Sequence, residues 1–479
     1  MAGNPSPSRF AAYSSPHGEG GLRHVAIIDV GKTNAKASLV AAADASVLAF
    51  RSHANATIAD GLYPHLDATG IWDFLCHALA GLNREAAIDA VAITAHGSAG
   101  AFLRAEREDD GLTMPILDYE HPGPDEFTAE YDAARPPFSE TLSPRLPAGL
   151  NLGAQFFWQE RRFPKEFAAA TAYVNYPQYW AWRLSGVAAT EMCSMGAHSD
   201  MWDPRRLRWS SMTEALGWTR KLAPLRPAFD RLGPIRQLLA ARLGLSPTVA
   251  IQCGIHDSSA SLLPHLKERT PPFAVVSTGT WVILFAVGGD IDNLDPTRDT
   301  LANVSAFGAP VPCGRFMGGR EFERLAGSSP EEPTAAELSR VLAERIMALP
   351  TFVSGCGPFP SGKGRWSHDP ASLTPREHIA VASLYLALMT AESLMLVGAS
   401  GPTIVEGPFA RNLLFCRALS AITERPVEPS DSGTGTMPGT LMTATGRLPA
   451  RQPQSKIEPL SDPALASYVE AWRKQARGA

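Results

Sequence analysis

Two apolar runs that break on a small polar turn and then resume set the frame for this chain. The first is HVAIIDV (24–30), the turn GKTN (31–34) and AKASLVAA (35–42). The second is FAVVSTGTWVILFAV (273–287), with its turn at Thr278, Gly279 and Thr280. Short apolar runs rich in Val and Ile and bounded by glycine predict buried strands joined as hairpins. An acid at the end of the first run, Asp29, is not needed by a purely structural hairpin. The shared theme predicts two related α/β domains.

The intervening segments fill out that scheme. SVLAFRSHAN (46–55) predicts a third strand, IWDFLCHALAGL (71–82) has helical spacing, and AIDAVAITAHG (87–97) returns as a buried strand. GAQFFWQERRF (153–163) and YPQYWAWRL (176–184) predict aromatic-rich helices, more often core than a stacking platform. TVAIQCGIHDSSASLL (248–263) predicts a strand running into a helix. REHIAVASLYLALMTAESLMLV (376–397) predicts a long helix, followed by a strand, TIVEG, and a helix, LLFCRALSAIT. A length of 479 residues suits two domains, placed here at 23–250 and 251–450. The Pro- and Ser-rich residues 1–22 are expected to be a disordered tail, and 451–479 a C-terminal extension.

Composition narrows the function classes. A net charge of −5 gives no basic surface for a nucleic-acid backbone. Six cysteines lie far apart with no C-x-x-C pair, which argues against a disulfide scaffold or zinc site and favours a reducing cytoplasm. No run of about 18 uncharged apolar residues is present, so no membrane partner is expected.

The turns carry the candidate chemistry. Gly31 permits a tight bend, and Lys32, Thr33 and Asn34 offer donors to phosphate oxygens. Asp29 would repel a phosphate, so its expected chemical role is to hold magnesium through water; its structural alternative is a self-capped turn. In GIHDSSAS (254–261), Asp257 at the mouth of a strand is a candidate base for a sugar hydroxyl, or the N-cap of the next helix. VEGPFARN (405–412) places Gly407 and Asn412 where a turn could pass under an adenine ring, or simply join strand to helix. His96 and Gly97 follow a buried strand and could line a pocket, and Asp118 and Glu120 in PILDYEHPGP are binding candidates or solvated acids. GPFPSGKG (357–364) nearly matches a phosphate loop, but Gly364 stands where a hydroxyl is required, so it reads as a Pro/Gly loop.

In order, IDVGKTNAK, GIHDSSAS, VVSTGTW and VEGPFARN resemble the FGGY carbohydrate kinases, over about residues 24 to 450. The resemblance implies an α/β fold of two ribonuclease-H-like, actin/hexokinase-like domains with an active-site cleft between them. It implies ATP and Mg2+, a small sugar or polyol substrate and a homodimer. It places Asp257 as catalytic base, and Asp29 with Asp257 at the metal. Gly31 to Asn34 and Thr278 to Thr280 fall in the phosphate motifs, Gly407, Asn412 and Gly439 around the adenosine, and His96, Gly97, Asp118 and His256 at the sugar. The GIHD sequence is similar to fuculose and rhamnulose kinases. Lys32 and EGPFARN depart from the family pattern. A nucleotide or sugar sensor without catalysis and a chaperone-like ATPase are the rival expectations on this fold.

Overall fold

The computed structural model describes residues 21–107, 109–327, 332–430, 435–448 and 457–478. It divides into two compact units, described residues only. The first runs up to Glu268 and adds Ala302–Pro310 and the stretch from Gly435 towards Arg451. The second holds Arg269–Leu301, Val311–Thr434 and the stretch from Gln452 onward. Residues 251–268, given to the second domain by the sequence, thus sit in the first unit, as does Gly439. The expected N-terminal tail lies outside the described residues except for 21 and 22.

The first unit is built on a sheet whose strands run in the order Arg231–Pro234, Ala250–Gln252, Ala90–Ala95, His24–Val30, Asn34–Ala41 and Val47–Ala54. His24–Val30 pairs antiparallel with Asn34–Ala41 and parallel with Ala90–Ala95, so Asp29 stands beside Lys36 on one side and Thr94 on the other. Its run of apolar residues is explained by cover on both faces. One face packs on the helix Ala68–Glu85, with Ile71, Leu75, Leu79 and Leu82 at helical spacing. The other packs on the helix Thr436–Thr445 through Leu441 and Ala444.

The second unit repeats the scheme. Its sheet runs in the order Pro310–Phe316, Val282–Val287, Phe273–Thr278, Thr403–Glu406 and Val427–Pro429, with Pro310 itself counted in the first unit. As in the first sheet, a central strand has an antiparallel hairpin partner on one side and a parallel strand on the other. The helix Pro375–Leu396 starts on a capping box of Thr374 and Glu377. It is long and apolar enough to cross a membrane by length and composition, although Glu392 interrupts it, and 83% of its most apolar window is buried. The C-terminal helix Leu465–Arg477 belongs to this core, since Trp472 and Tyr468 are buried there and donate to the carbonyls of Ala348 and Ile346 at 2.7 and 3.0 Å.

Phe157, Trp158, Tyr179, Trp180 and Trp182 are core residues. All six cysteines are buried and free. The lookalike 357–364 is followed by a short strand, Arg365–Trp366, rather than by the helix that a phosphate loop needs.

One close approach ties the first unit together. A Cβ on Gly439 would lie 1.8 Å from the carbonyl oxygen of Ala260, on the helix Asp257–Glu268. The lack of a side chain at Gly439, which the resemblance gives to adenine, thus has a packing reason. Gly439→Ala is expected to lower stability by about 1–3 kcal/mol, the usual range for overpacking, despite alanine's better helix propensity. Urea unfolding of the full chain measures it.

Candidate active site

Asp29 ends the central strand of the first unit, and Asp257 opens the helix at the tip of a neighbouring one. The short strand Ile255–His256 pairs parallel with Ala90–Ala95, bringing His256 opposite Ala95 and next to His96. Asp257 Oδ1 takes His256 Nε2 at 3.1 Å and the backbone N–H of Ser258 at 2.6 Å. Those contacts leave Oδ2 for a hydroxyl. Burial opposes the charge on Asp257, but the hydrogen bond and charge of His256 outweigh it and hold the carboxyl below its usual range.

Asp29 goes the other way. Burial, reinforced by the charge of Asp257, pushes its carboxyl up to about 6. Lys36 and a 3.3 Å hydrogen bond from Thr436 Oγ1 only partly offset this. Two acids that feel each other and are pushed apart in acidity form a place where a divalent cation would be welcome. Among the described residues no group of three or more His, Cys, Asp or Glu could hold a metal. Magnesium does not require one, since it is commonly held by one or two carboxylates with water and phosphate oxygens. The donor set therefore fits Mg2+.

The sugar-side candidates converge in the same unit. His96 is 9% exposed, with its ring 4.8 Å from that of Tyr176 and 5.4 Å from that of Tyr119. Neither ring nitrogen has a partner, and burial lowers its pKa to about 4, so it is neutral at pH 7 with one donor and one acceptor to offer. A Cβ on Gly97 would lie 2.7 Å from His256 Nε2, so this glycine makes room for the His256 ring. Asp118 accepts from Lys32 Nζ and, at 2.7 Å, from Thr57 Oγ1. Lys32 also lies 3.7 Å from Glu120 and 5.0 Å from the centre of the Tyr119 ring. Lys32 was expected among the phosphate donors; its ammonium is instead held by these acids, on the side of Asp118. The backbone N–H of Gly31 donates to Asn34 at 2.9 Å and closes the turn, while Thr33 and Asn34 stay exposed.

The second unit assembles its own candidates. Thr278 is buried, donates its hydroxyl to the Glu406 carbonyl and accepts from the Phe409 N–H at 3.1 Å. A Cβ on Gly407 would lie 2.1 Å from the Thr278 carbonyl oxygen, so the two expected motifs touch. The Thr278 hydroxyl holds this junction, which leaves Gly279 and Thr280 as the more accessible part of the turn. Asn412 caps the helix Leu413–Thr423, accepting from Phe415 N–H, and donates to Ser383 at 2.9 Å. That is the structural alternative named for it above.

Sequence reading missed Thr57, Tyr119, Tyr176 and Thr436, and in the second unit Gly319, whose Cβ would lie 2.2 Å from the Gly279 carbonyl oxygen. A signal existed for Gly319, a glycine pair at a helix start in MGGREF, and for Tyr119, adjacent to Asp118.

Family profiles described as the FGGY family of carbohydrate kinases, N-terminal domain, and Carbohydrate kinase FGGY, C-terminal domain, match residues 24–264 and 270–453. The chain belongs to the FGGY family of carbohydrate kinases. A solved carbohydrate kinase from Novosphingobium aromaticivorans is 34% identical, with 96% of this chain and 99% of that one covered at a TM-score of 0.88. A glycerol kinase from Plasmodium falciparum, 12% identical with 96% and 99% covered at a TM-score of 0.77, shows the shared fold alone. The FGGY chain thus has the two-domain actin/hexokinase-like fold. L-fuculokinases from Haemophilus influenzae and Salmonella typhi are 29% and 24% identical, over 27% and 45% of both chains; less than half the length of these relatives is matched.

The Asp29 shift has a definite sign. A carboxyl raised in the folded state contributes stability below its unfolded pKa of 3.8 and loses it as pH rises through about 6. Asp29→Asn is therefore expected to raise the unfolding temperature at neutral pH, and to lose that advantage near pH 4. Thermal unfolding across that range checks it.

Proposed function

We propose that this FGGY protein transfers the γ-phosphoryl group of ATP to a hydroxyl of a small sugar, a ketose of the fuculose, rhamnulose or xylulose kind, or of a polyol. The observation that carries this reading is the juxtaposition in one unit of an ionised Asp257, steadied by His256, and a neutral His96 with both nitrogens unpartnered. A sugar presents alternating donors and acceptors, and His96 offers one of each.

In this mechanism the sugar hydroxyl donates to Asp257 Oδ2 and attacks the γ-phosphorus. The new O–P bond forms as the bond from phosphorus to the bridging oxygen of ADP breaks, and the proton passes to Asp257 and then to water. A low pKa is no obstacle, because the hydroxyl becomes acidic only as its bond to phosphorus forms. Asp29 and Asp257 are the residues that would hold Mg2+, which when bound neutralises phosphate charge. Gly279 and Thr280 are assigned to the ATP phosphates and Gly407 to the adenosine side, by family position. Asp118, Thr57 and Lys32 are assigned to sugar hydroxyls. The partial match to the two L-fuculokinases supports a ketose.

A coupled assay with a ketose and polyol panel, ATP and magnesium tests the reading; nucleotide binding without product from any sugar would overturn it. For the sugar that reacts, Asp257→Asn is expected to lower kcat by at least about 100-fold, within the usual range for a lost general base. Lys32→Met is expected to raise the sugar KM by about tenfold and to leave the ATP KM within about twofold. A rise confined to the ATP KM would return Lys32 to the phosphates.

A further inference from the structure

The turn that joins the first hairpin is left half-closed. The register of His24–Val30 on Asn34–Ala41 ends with Val30 opposite Ala35, so Gly31 and Asn34 form the next pair. In an antiparallel ladder a hydrogen-bonded pair exchanges two bonds, one N–H to carbonyl in each direction. Gly31 and Asn34 exchange one: the Gly31 N–H donates to the Asn34 carbonyl at 2.9 Å. The Gly31 carbonyl accepts instead from Asn55 Nδ2, at 2.9 Å. The same happens on the other side of the turn. Val47–Ala54 pairs with Asn34–Ala41, with Ala54 opposite Asn34, so Asn55 faces Thr33. The Asn55 N–H donates to the Thr33 carbonyl at 2.9 Å, and no bond returns.

Asn55 thus holds two carbonyls of the turn, and the Gly31 N–H holds a third. Among the described residues, the N–H groups of Lys32, Thr33 and Asn34 make no hydrogen bond. Three successive backbone donors, in a turn whose carbonyls are occupied elsewhere, suit the oxygens of an anion. The Lys32 ammonium is taken by Asp118 and Glu120, so what Lys32 has left for an anion is its N–H.

Stability alone does not explain this use of an asparagine. Asn55 Oδ1 is buried without a partner, which costs free energy. A bond from the Asn34 N–H to the Gly31 carbonyl would close the hairpin with no side chain at all. We propose that Asn55 is the positioning residue of a phosphate-binding turn: it withholds the Gly31 carbonyl from Asn34, so that the N–H groups of Lys32, Thr33 and Asn34 stay available to the terminal phosphate oxygens of ATP. The inference rests on the kinase reading and supplies the phosphate donors of its first unit.

The test pairs kinetics with binding. Asn55→Leu keeps the size of the side chain and removes its donor, whereas Asn55→Gln keeps an amide. For the sugar that reacts, Asn55→Leu is expected to raise the ATP KM by at least about tenfold, as for a lost charge-assisted contact, and to leave the sugar KM within about twofold. Asn55→Gln is expected to lie closer to wild type, and circular dichroism checks that both variants fold. Without turnover, the β,γ-imido analogue of ATP is titrated with magnesium into the full chain. The amide NMR signals of Lys32, Thr33 and Asn34 are expected to shift in wild type and to shift less in Asn55→Leu. An unchanged ATP KM in Asn55→Leu overturns the positioning role, as does an equal rise in both KM values. Amides 32–34 unmoved by saturating analogue in wild type overturn the turn's assignment, and this arm needs no variant to fold. Shifts that depend on Asn55, with no sugar of the panel phosphorylated, would count against the kinase reading and leave the turn's assignment standing.

Discussion

The approach of Gly439 to the Ala260 carbonyl is the contact on which the first unit's chemistry rests. It lets the helix Thr436–Thr445 lie directly against the helix Asp257–Glu268. The first helix brings Thr436 to Asp29; the second opens on Asp257. A larger residue at 439 would part the two backbones and move both acids' surroundings together. The placement of the carboxyl groups is therefore a packing result first and an electrostatic one second.

Once placed, the acids differ because their neighbours differ. Asp257 has a histidine and a backbone N–H on one oxygen, so its charge is supported. Asp29 has burial and a nearby like charge, with one hydroxyl to compensate, so its charge costs free energy until a cation shares it. His96 stays neutral for the same reason that Asp29 is strained: a buried ring gains nothing from a proton there. Lys32 adds a fixed positive charge, but Asp118 and Glu120 confine it to their side of the turn. The result is one acid whose charge is supported, another whose charge is not, and a neutral ring, which is the arrangement that the proposed reading uses for a proton, a metal and a sugar hydroxyl in turn.

What the sequence disclosed and what it hid follow from the range of the interactions. The hairpins at 24–41 and 273–287, the helix 71–82 and the strand into helix at 248–263 are local patterns, and burial on both faces made their apolar runs continuous. Asp29, His96, His256 and Asp257 stood out in the sequence because each lies at or just past the end of an apolar run, and the structure places them at or beside strand tips of one sheet. Thr436 and Thr57 were not, because each matters only through a partner far away in sequence, Asp29 and Asp118. The aromatic run at 176–182 read as core, and it is core, yet Tyr176 at its start also meets His96. Asn412 and Gly439 stood out by resemblance, whereas the structure supplies capping and packing reasons for those residue types. The domain boundary drawn at 250 missed the helix 257–268, because a parallel strand pair, Ile255–His256 on Ala90–Ala95, is a long-range event that no local pattern announces.

The first unit's sheet also sets a timetable. Val25, Ile27, Ala90 and Ala92 on one of its faces are covered by Leu441 and Ala444, which follow the whole intervening second sheet in the chain. During synthesis that greasy face emerges hundreds of residues before its lid, and loop closure of this span is slow to be rewarded. A ribosome-bound nascent chain therefore carries this apolar face uncovered until translation passes residue 445.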